Sequence, residues 1–214
     1  MYDTEQEQIE ALKQWWSRWG NALVGGVLIF VVGYFGLFFY NDNQAKNHAA
    51  ASDIYQQVVR LTDGKDTLAA TERSRLDDLF ANLSSAHSNS TYTTYTALLQ
   101  AKYMVNDGDF ADAETKLRWA LEQSRDATID RVITLRIARV QVAQGEFDAA
   151  LATLDGIAAG AQELAFYELR GDIHQAMGDR NAARAAYETA WTLAQEQGLN
   201  PPLLQAKAER FGLL

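Results

Sequence analysis

Two patterns of apolar positions divide this chain. The first is continuous. Between Arg18 and Asp42 no residue is charged over a run of 23 positions, and across Ala22–Tyr40 apolar side chains surround every face. At about 1.5 Å of rise per residue such a run spans a hydrocarbon core of roughly 30 Å. The pattern predicts a transmembrane helix over 21–41. Trp15, Trp16 and Trp19 mark one end, and Tyr34, Phe38, Phe39 and Tyr40 the other, where aromatic belts meet headgroups. A cleaved signal peptide is shorter and carries a basic leader, whereas this leader is acidic. A buried core helix would show a polar face. Arg18 directly abuts the run, with Lys13 behind it, whereas Lys46 and Arg60 flank the other side at a distance. This predicts an N-terminus held inside and, in a bacterial cell, a periplasmic domain beyond the helix.

The second pattern is periodic and repeats itself. Gly108-Asp109-Phe110 is followed by Ala113, Leu117 and Ala120; Gly145-Glu146-Phe147 by Ala150, Leu154 and Ile157; Gly178-Asp179-Arg180 by Ala183, Tyr187 and Ala190. A small residue, Ala101, Ala138 or Gly171, stands seven positions before each glycine, and the glycines are 37 and 33 residues apart. The physics is that of a helical hairpin. The glycine ends one helix with positive φ. The acid after it is placed to cap the next and to meet its dipole. Small residues let the helices cross closely, while Phe110, Leu117, Phe147, Leu154 and Tyr187 fill the space between hairpins. Such units must stack to bury their faces. The three extra residues of the first spacing are expected in a loop around Gln123–Thr128.

The flanks extend the stack. Ala45–Leu61 has helical spacing, with Ile54, Val58 and Leu61 on one face, and continues from the membrane helix. Asp63-Gly64-Lys65-Asp66 reads as a turn. Arg73–Leu83 reads as a helix with Leu76, Leu79, Phe80 and Leu83 apolar. After Pro201-Pro202, Leu203–Phe211 reads as a terminal capping helix. The fold class is therefore all-α: one transmembrane helix followed by an α-solenoid of stacked hairpins. The expected organisation is a cytoplasmic tail over 1–20, the helix over 21–41 and a periplasmic domain over 42–214, with its clearest repeats over 94–194.

Composition and charge narrow the function. The net charge is −9, and residues 41–214 carry 24 acids against 17 bases. That balance repels phosphate backbones and argues against nucleic acid as a partner. With no cysteine, thiol nucleophiles, disulfides and thiolate metal sites are excluded. His48, His87 and His174 have no ligand partners at metal spacing. No phosphate loop, dinucleotide fingerprint or nucleophile elbow occurs. The adjacent Asp77 and Asp78 diverge by about 100° on a helix and read as solvated. No cofactor and no catalytic residue is expected, and the chain is not expected to be an enzyme.

The repeat register resembles the tetratricopeptide pattern of about 34 residues, without its Trp-Leu-Gly opening or closing proline. The whole chain resembles the ancillary SecYEG translocon subunit family. The residues that carry the resemblance are the tail Gln8-Ile9-Glu10-Ala11-Leu12-Lys13, the glycine-bearing anchor and the run Leu135–Val142. Leu169-Arg170-Gly171-Asp172, Gly178-Asp179 and Ala182-Ala183-Arg184 carry it further. The resemblance implies a bacterial inner-membrane protein with a periplasmic domain. The implied partners are the SecYEG translocon, a membrane-anchored periplasmic peptidyl-prolyl isomerase-like chaperone and exported client proteins, besides inner membrane lipid. The implied role is handing exported proteins to periplasmic chaperones. The alternatives are a generic envelope-assembly scaffold and a regulator acting through its cytoplasmic tail.

Candidate contact residues follow from register. The inward positions of the first helices are expected to be Tyr95, Leu98, Lys102, Val132, Leu135, Arg139 and Asp172, forming a partner groove. Lys102 and Arg139 occupy equivalent positions, suited to acidic groups or a terminal carboxylate, or else to balancing acids of the same domain. Trp119 stands where its equivalents are Gly156 and Thr189; it either fills a gap beside the inserted loop or is an exposed anchor. Trp191 falls on an apolar position and is expected in the core. Ala22, Gly26 and Gly33 share one stripe of the membrane helix. Small residues there let a partner helix approach, though glycine is also common in spanning helices.

Overall fold

The computed structural model describes the backbone of residues 3–214, and the side-chain surroundings of residues 9, 10, 12–21, 24–26 and 28–214. Among the described residues every regular element is a helix. The all-α expectation therefore holds. The chain forms two compact units, Met1–Ala50 and Ala51–Leu214.

The first unit is helical throughout its described length and belongs to α1 (Asp3–Thr62). Every described large apolar side chain between Val24 and Tyr40 is exposed. This helix is long and apolar enough to cross a membrane, and 0% of its most apolar 18-residue window is buried. A core helix would be covered by neighbours; this one is bare, as a helix solvated by lipid is. The predicted segment Ala45–Leu61 lies wholly within α1, as its spacing foretold.

The second unit begins with the last part of α1 packed on α2 (Ala70–Ala86). Val58, Leu68, Leu76, Leu79 and Tyr103 form their shared core, with Ile54 and Leu61 against it. The turn between them has Gly64 at φ 66. The Glu72 carboxylate accepts from the Ala69 backbone at 2.9 Å and from Lys65 Nζ at 2.6 Å, which pins the start of α2. Asp77 is not merely solvated: it accepts from Gln100 Nε2 at 2.6 Å and ties α2 to the next helix.

Three hairpins follow: α3 (Thr91–Asp107) with α4 (Phe110–Gln123), α5 (Ala127–Gln144) with α6 (Phe147–Asp155), and α7 (Glu163–Ala176) with α8 (Arg180–Glu196). Each first helix is ended by the predicted glycine in the left-handed region, Gly108 at φ 87, Gly145 at φ 79 and Gly178 at φ 82. In each, the next amide closes back onto the helix: Asp109 to Met104 at 2.9 Å, Glu146 to Gln141 at 2.8 Å and Asp179 to His174 at 2.9 Å. This is one Schellman-type stop made three times. The expected small residues are at the crossings, with Ala101 2% and Ala113, Ala138, Ala150 and Ala183 0% exposed.

Two expectations need correction. Only Asp179 caps with its side chain, accepting from Ala182 N at 3.0 Å. Asp109 and Glu146 hold the same place without a side-chain cap bond, so they act on the helix ends through charge alone. Nor does the extra length of the first repeat form a loop. The connection is only Ser124–Asp126, and α4 and α5 are longer than α6 and α7 instead. Asp126 caps α5, accepting from Thr128 N at 2.7 Å.

The terminal helix α9 (Pro202–Arg210) begins with proline in its first turn, where the missing N–H costs nothing. Leu204, Ala208 and Phe211 bury against Ala183, Tyr187 and Ala190 of α8. Trp191 packs partly buried on the same cluster.

Candidate interaction groove

The groove arises between the first helices of repeats one and two. On α3 the positions Tyr95, Leu98, Leu99, Lys102, Val105 and Asn106 recur every three or four residues and form one stripe. On α5 a matching stripe runs through Ile129, Val132, Arg136, Arg139 and Ala143. The two stripes line two cavities. One, of about 460 Å³, holds Tyr55, Tyr95, Ile129 and Val132. The other, of about 300 Å³, holds Lys102, Val105, Arg139 and Ala143 over a floor that includes Leu117 and Val140. Leu98, Leu99 and Arg136 belong to both, so the cavities form one continuous groove.

The groove has two unlike ends. At the first, Tyr55 stacks on Tyr92 with centroids 5.2 Å apart and tilts against Tyr95 at 6.1 Å. Burial, and then the neighbouring tyrosines, push the Tyr55 phenol above its ordinary value. At the second end stand three cations. Lys102 Nζ reaches the Lys65 carbonyl at 3.3 Å and Asp66, whose side chain is 98% exposed, at 3.5 Å. Such a contact is weak. Arg136 and Arg139 pair with no carboxylate among the described residues. Burial, and then the charge of Arg139, hold the Arg136 guanidinium below the usual arginine range.

Of the seven residues expected in the groove, the structure gathers five: Tyr95, Leu98, Lys102, Val132 and Arg139. Leu135 instead joins the core of repeats two and three with Phe166 and Leu169. Three residues from Val132 and four from Arg139, it flanks the groove stripe but packs into that core. Asp172 is engaged elsewhere. It accepts from the Tyr187 hydroxyl at 2.7 Å and stands 2.7 Å from Lys207 Nζ on the capping helix. The capping helix thus occupies the polar inner positions of repeat three. Arg136, Leu99, Val105 and Tyr55 were not foreseen as groove residues. The signal for Arg136 was its spacing of four from Val132 and three from Arg139, which completes the α5 stripe.

Trp119 is half-buried rather than free. Its ring meets Phe80 edge-on at 5.1 Å, while Lys116 Nζ covers the Phe80 ring at 4.0 Å. It packs against the core of repeat one. In the first unit, Gly26 and Gly33 are exposed, and a Cβ at either would meet nothing within 4 Å. The side chain of Ala22 lies outside the described residues.

Stacked hairpins with one open inner groove define a helical-repeat protein of the tetratricopeptide class. The model of a family described as a tetratricopeptide repeat-like domain matches residues 13–212. An ancillary SecYEG translocon subunit of Escherichia coli (strain K12) is 33% identical over 190 residues, 88% of this chain and 87% of its own length. One from Haemophilus influenzae is 30% identical over 190 residues, 88% and 90% of the two chains. One from Neisseria gonorrhoeae is 23% identical over 205 residues, 96% of each. No solved structure matches the chain. The chain belongs to the family of ancillary SecYEG translocon subunits.

Proposed function

We propose that this chain is a membrane-anchored interaction module associated with the SecYEG protein-export channel. In this reading it crosses the bacterial inner membrane once over 21–41. Its tail, 1–20, is cytoplasmic and its repeat domain, 42–214, periplasmic. There it helps pass exported proteins to periplasmic chaperones, among them a membrane-anchored peptidyl-prolyl isomerase-like chaperone. The observation that carries the reading is similarity to ancillary SecYEG translocon subunits over 88% of this chain. The bare apolar helix supplies the anchor. The stacked repeats and their open groove suit protein contact rather than chemistry.

The test is site-specific photocrosslinking from Gly33, with co-purification of the channel from native membranes. Crosslinks to the channel are expected, and they should survive deletion of residues 3–13. Channel contact that disappears with that deletion would favour regulation through the tail. Crosslinks only to other envelope proteins would favour a general scaffold. A topology reporter fused at Leu214 should be active in the periplasm; cytoplasmic activity would overturn the reading.

A further inference from the structure

The two ends of the groove say what kind of partner segment it takes. The groove follows α3 from Tyr95 to Asn106, which is about 16 Å of helical rise. That length accommodates about five residues of extended chain. Tyr55 and Tyr95 offer flat apolar faces at one end, Leu98, Leu99 and Val105 an aliphatic middle, and Lys102, Arg136 and Arg139 a cationic end. The cations are the telling feature. The domain as a whole is acidic, with 24 acids against 17 bases, yet carboxylates do not crowd this end of the groove. Instead Arg136 and Arg139 face each other one turn apart with no described acid within ion-pair distance, and Lys102 has only the fully exposed Asp66. Two mutually repelling guanidiniums over an apolar floor raise the local potential that an incoming carboxylate sees. The acidic balance of the domain disfavours acids over much of its surface, so the groove's cations favour an acidic segment placed over them.

We propose that the α3–α5 groove binds an extended segment of a partner protein, with an aromatic or aliphatic side chain against Tyr55 and Tyr95 and two or more acidic side chains on Lys102, Arg136 and Arg139. This rests on the interaction role proposed above and gives its recognition chemistry. Several side-chain carboxylates fit better than one chain terminus, because one carboxylate brings a single negative charge against three cations.

The experiment uses the full chain in detergent and a fluorescein-labelled, C-terminally amidated peptide, Ser-Phe-Leu-Ser-Asp-Glu-Asp-Ser. Its twin carries lysine at the three acidic places. The acidic peptide should bind, more weakly as salt rises, and the lysine twin should bind at least about tenfold less well. The double variant Arg136→Glu, Arg139→Glu should reverse that preference and gain affinity for the lysine twin. A misfolded variant cannot produce such a gain. Arg136→Lys with Arg139→Lys should keep most of the binding. Equal binding of the two peptides, or a charge-reversed variant that still prefers the acidic one, overturns the proposal. So does a wild-type dimer in sedimentation that the reversal dissolves, because the groove would then hold a second copy of this chain. Channel co-purification from the same preparation separates the two claims. If it persists without peptide binding, the groove proposal fails and the channel role stands; if it is absent, the channel role fails.

Discussion

At the scale of single residues, Gly171 and Tyr187 show how closely the third repeat is drawn together. A Cβ on Gly171 would lie 2.4 Å from the Tyr187 ring, and the ring is 0% exposed with no room to retreat. Gly171→Ala should therefore destabilise the domain by about 1–3 kcal/mol, read as a lower midpoint of thermal unfolding. The Tyr187 hydroxyl donates to Asp172 at 2.7 Å. Burial, then that hydrogen bond and the charge of Asp172, push the phenol well above its ordinary value. The unfolded phenol ionises near about pH 10, whereas the folded one resists. The resulting stabilisation is complete below about pH 10 and is lost as pH climbs beyond it toward the folded value. Tyr187→Phe should cost about 1 kcal/mol at neutral pH, and the deficit should narrow above about pH 10 in a pH series of melting curves. The register made Gly171 legible as a small residue at a crossing. It could not reveal the fate of Asp172, because the partner that claims it, Lys207, is 35 residues away in a helix outside the repeat.

Among elements, the helix stops were the most legible feature and the helix starts the least. A left-handed residue is a strict demand on backbone geometry, and glycine at Gly108, Gly145 and Gly178 announces it. Gly145→Ala should cost about 1 kcal/mol. Gly156 has φ −70 in the right-handed region and only ordinary contacts for a Cβ. Gly156→Ala should be neutral or stabilising by up to about 1 kcal/mol. Chemical denaturation of the two variants side by side distinguishes them. Helix starts depend on side-chain rotamers that spacing does not encode, which is why the acids after each glycine look alike in sequence but only Asp179 caps. The same limit applies to the first repeat, where extra residues lengthened helices. Nothing local in Gln123–Thr128 separates a longer helix from a longer loop.

For the whole molecule, the change from a continuously apolar helix to a helical stack was plain in the sequence, because a run apolar on every face and a core-facing stripe have different periods. The groove was half legible. Register gave Tyr95, Leu98 and Lys102 of α3 and Val132 and Arg139 of α5, but Leu135 and Asp172 were drawn away by packing against α7 and α9. Substituting Gly26 and Gly33 together with leucine should leave insertion intact while reducing crosslinking of the anchor to the channel by several-fold; unchanged crosslinking would show that this stripe faces lipid.

The placement of the capping helix has a consequence for valency. Solenoids of like repeats can offer a like site at every junction, and so bind several segments at once. Here Lys207, 2.7 Å from both Glu168 and Asp172, fills the inner face of repeat three from within the chain. The junction of repeats one and two keeps its cations open, and Arg180 and Arg210 line a separate cavity beside Phe211. If the α3–α5 groove is the segment's site, a peptide titration should saturate at a single equivalent; a second equivalent would point to the Arg180–Arg210 cavity. A groove filled by one segment at a time must release one occupant before it takes the next, which favours exchange over accumulation.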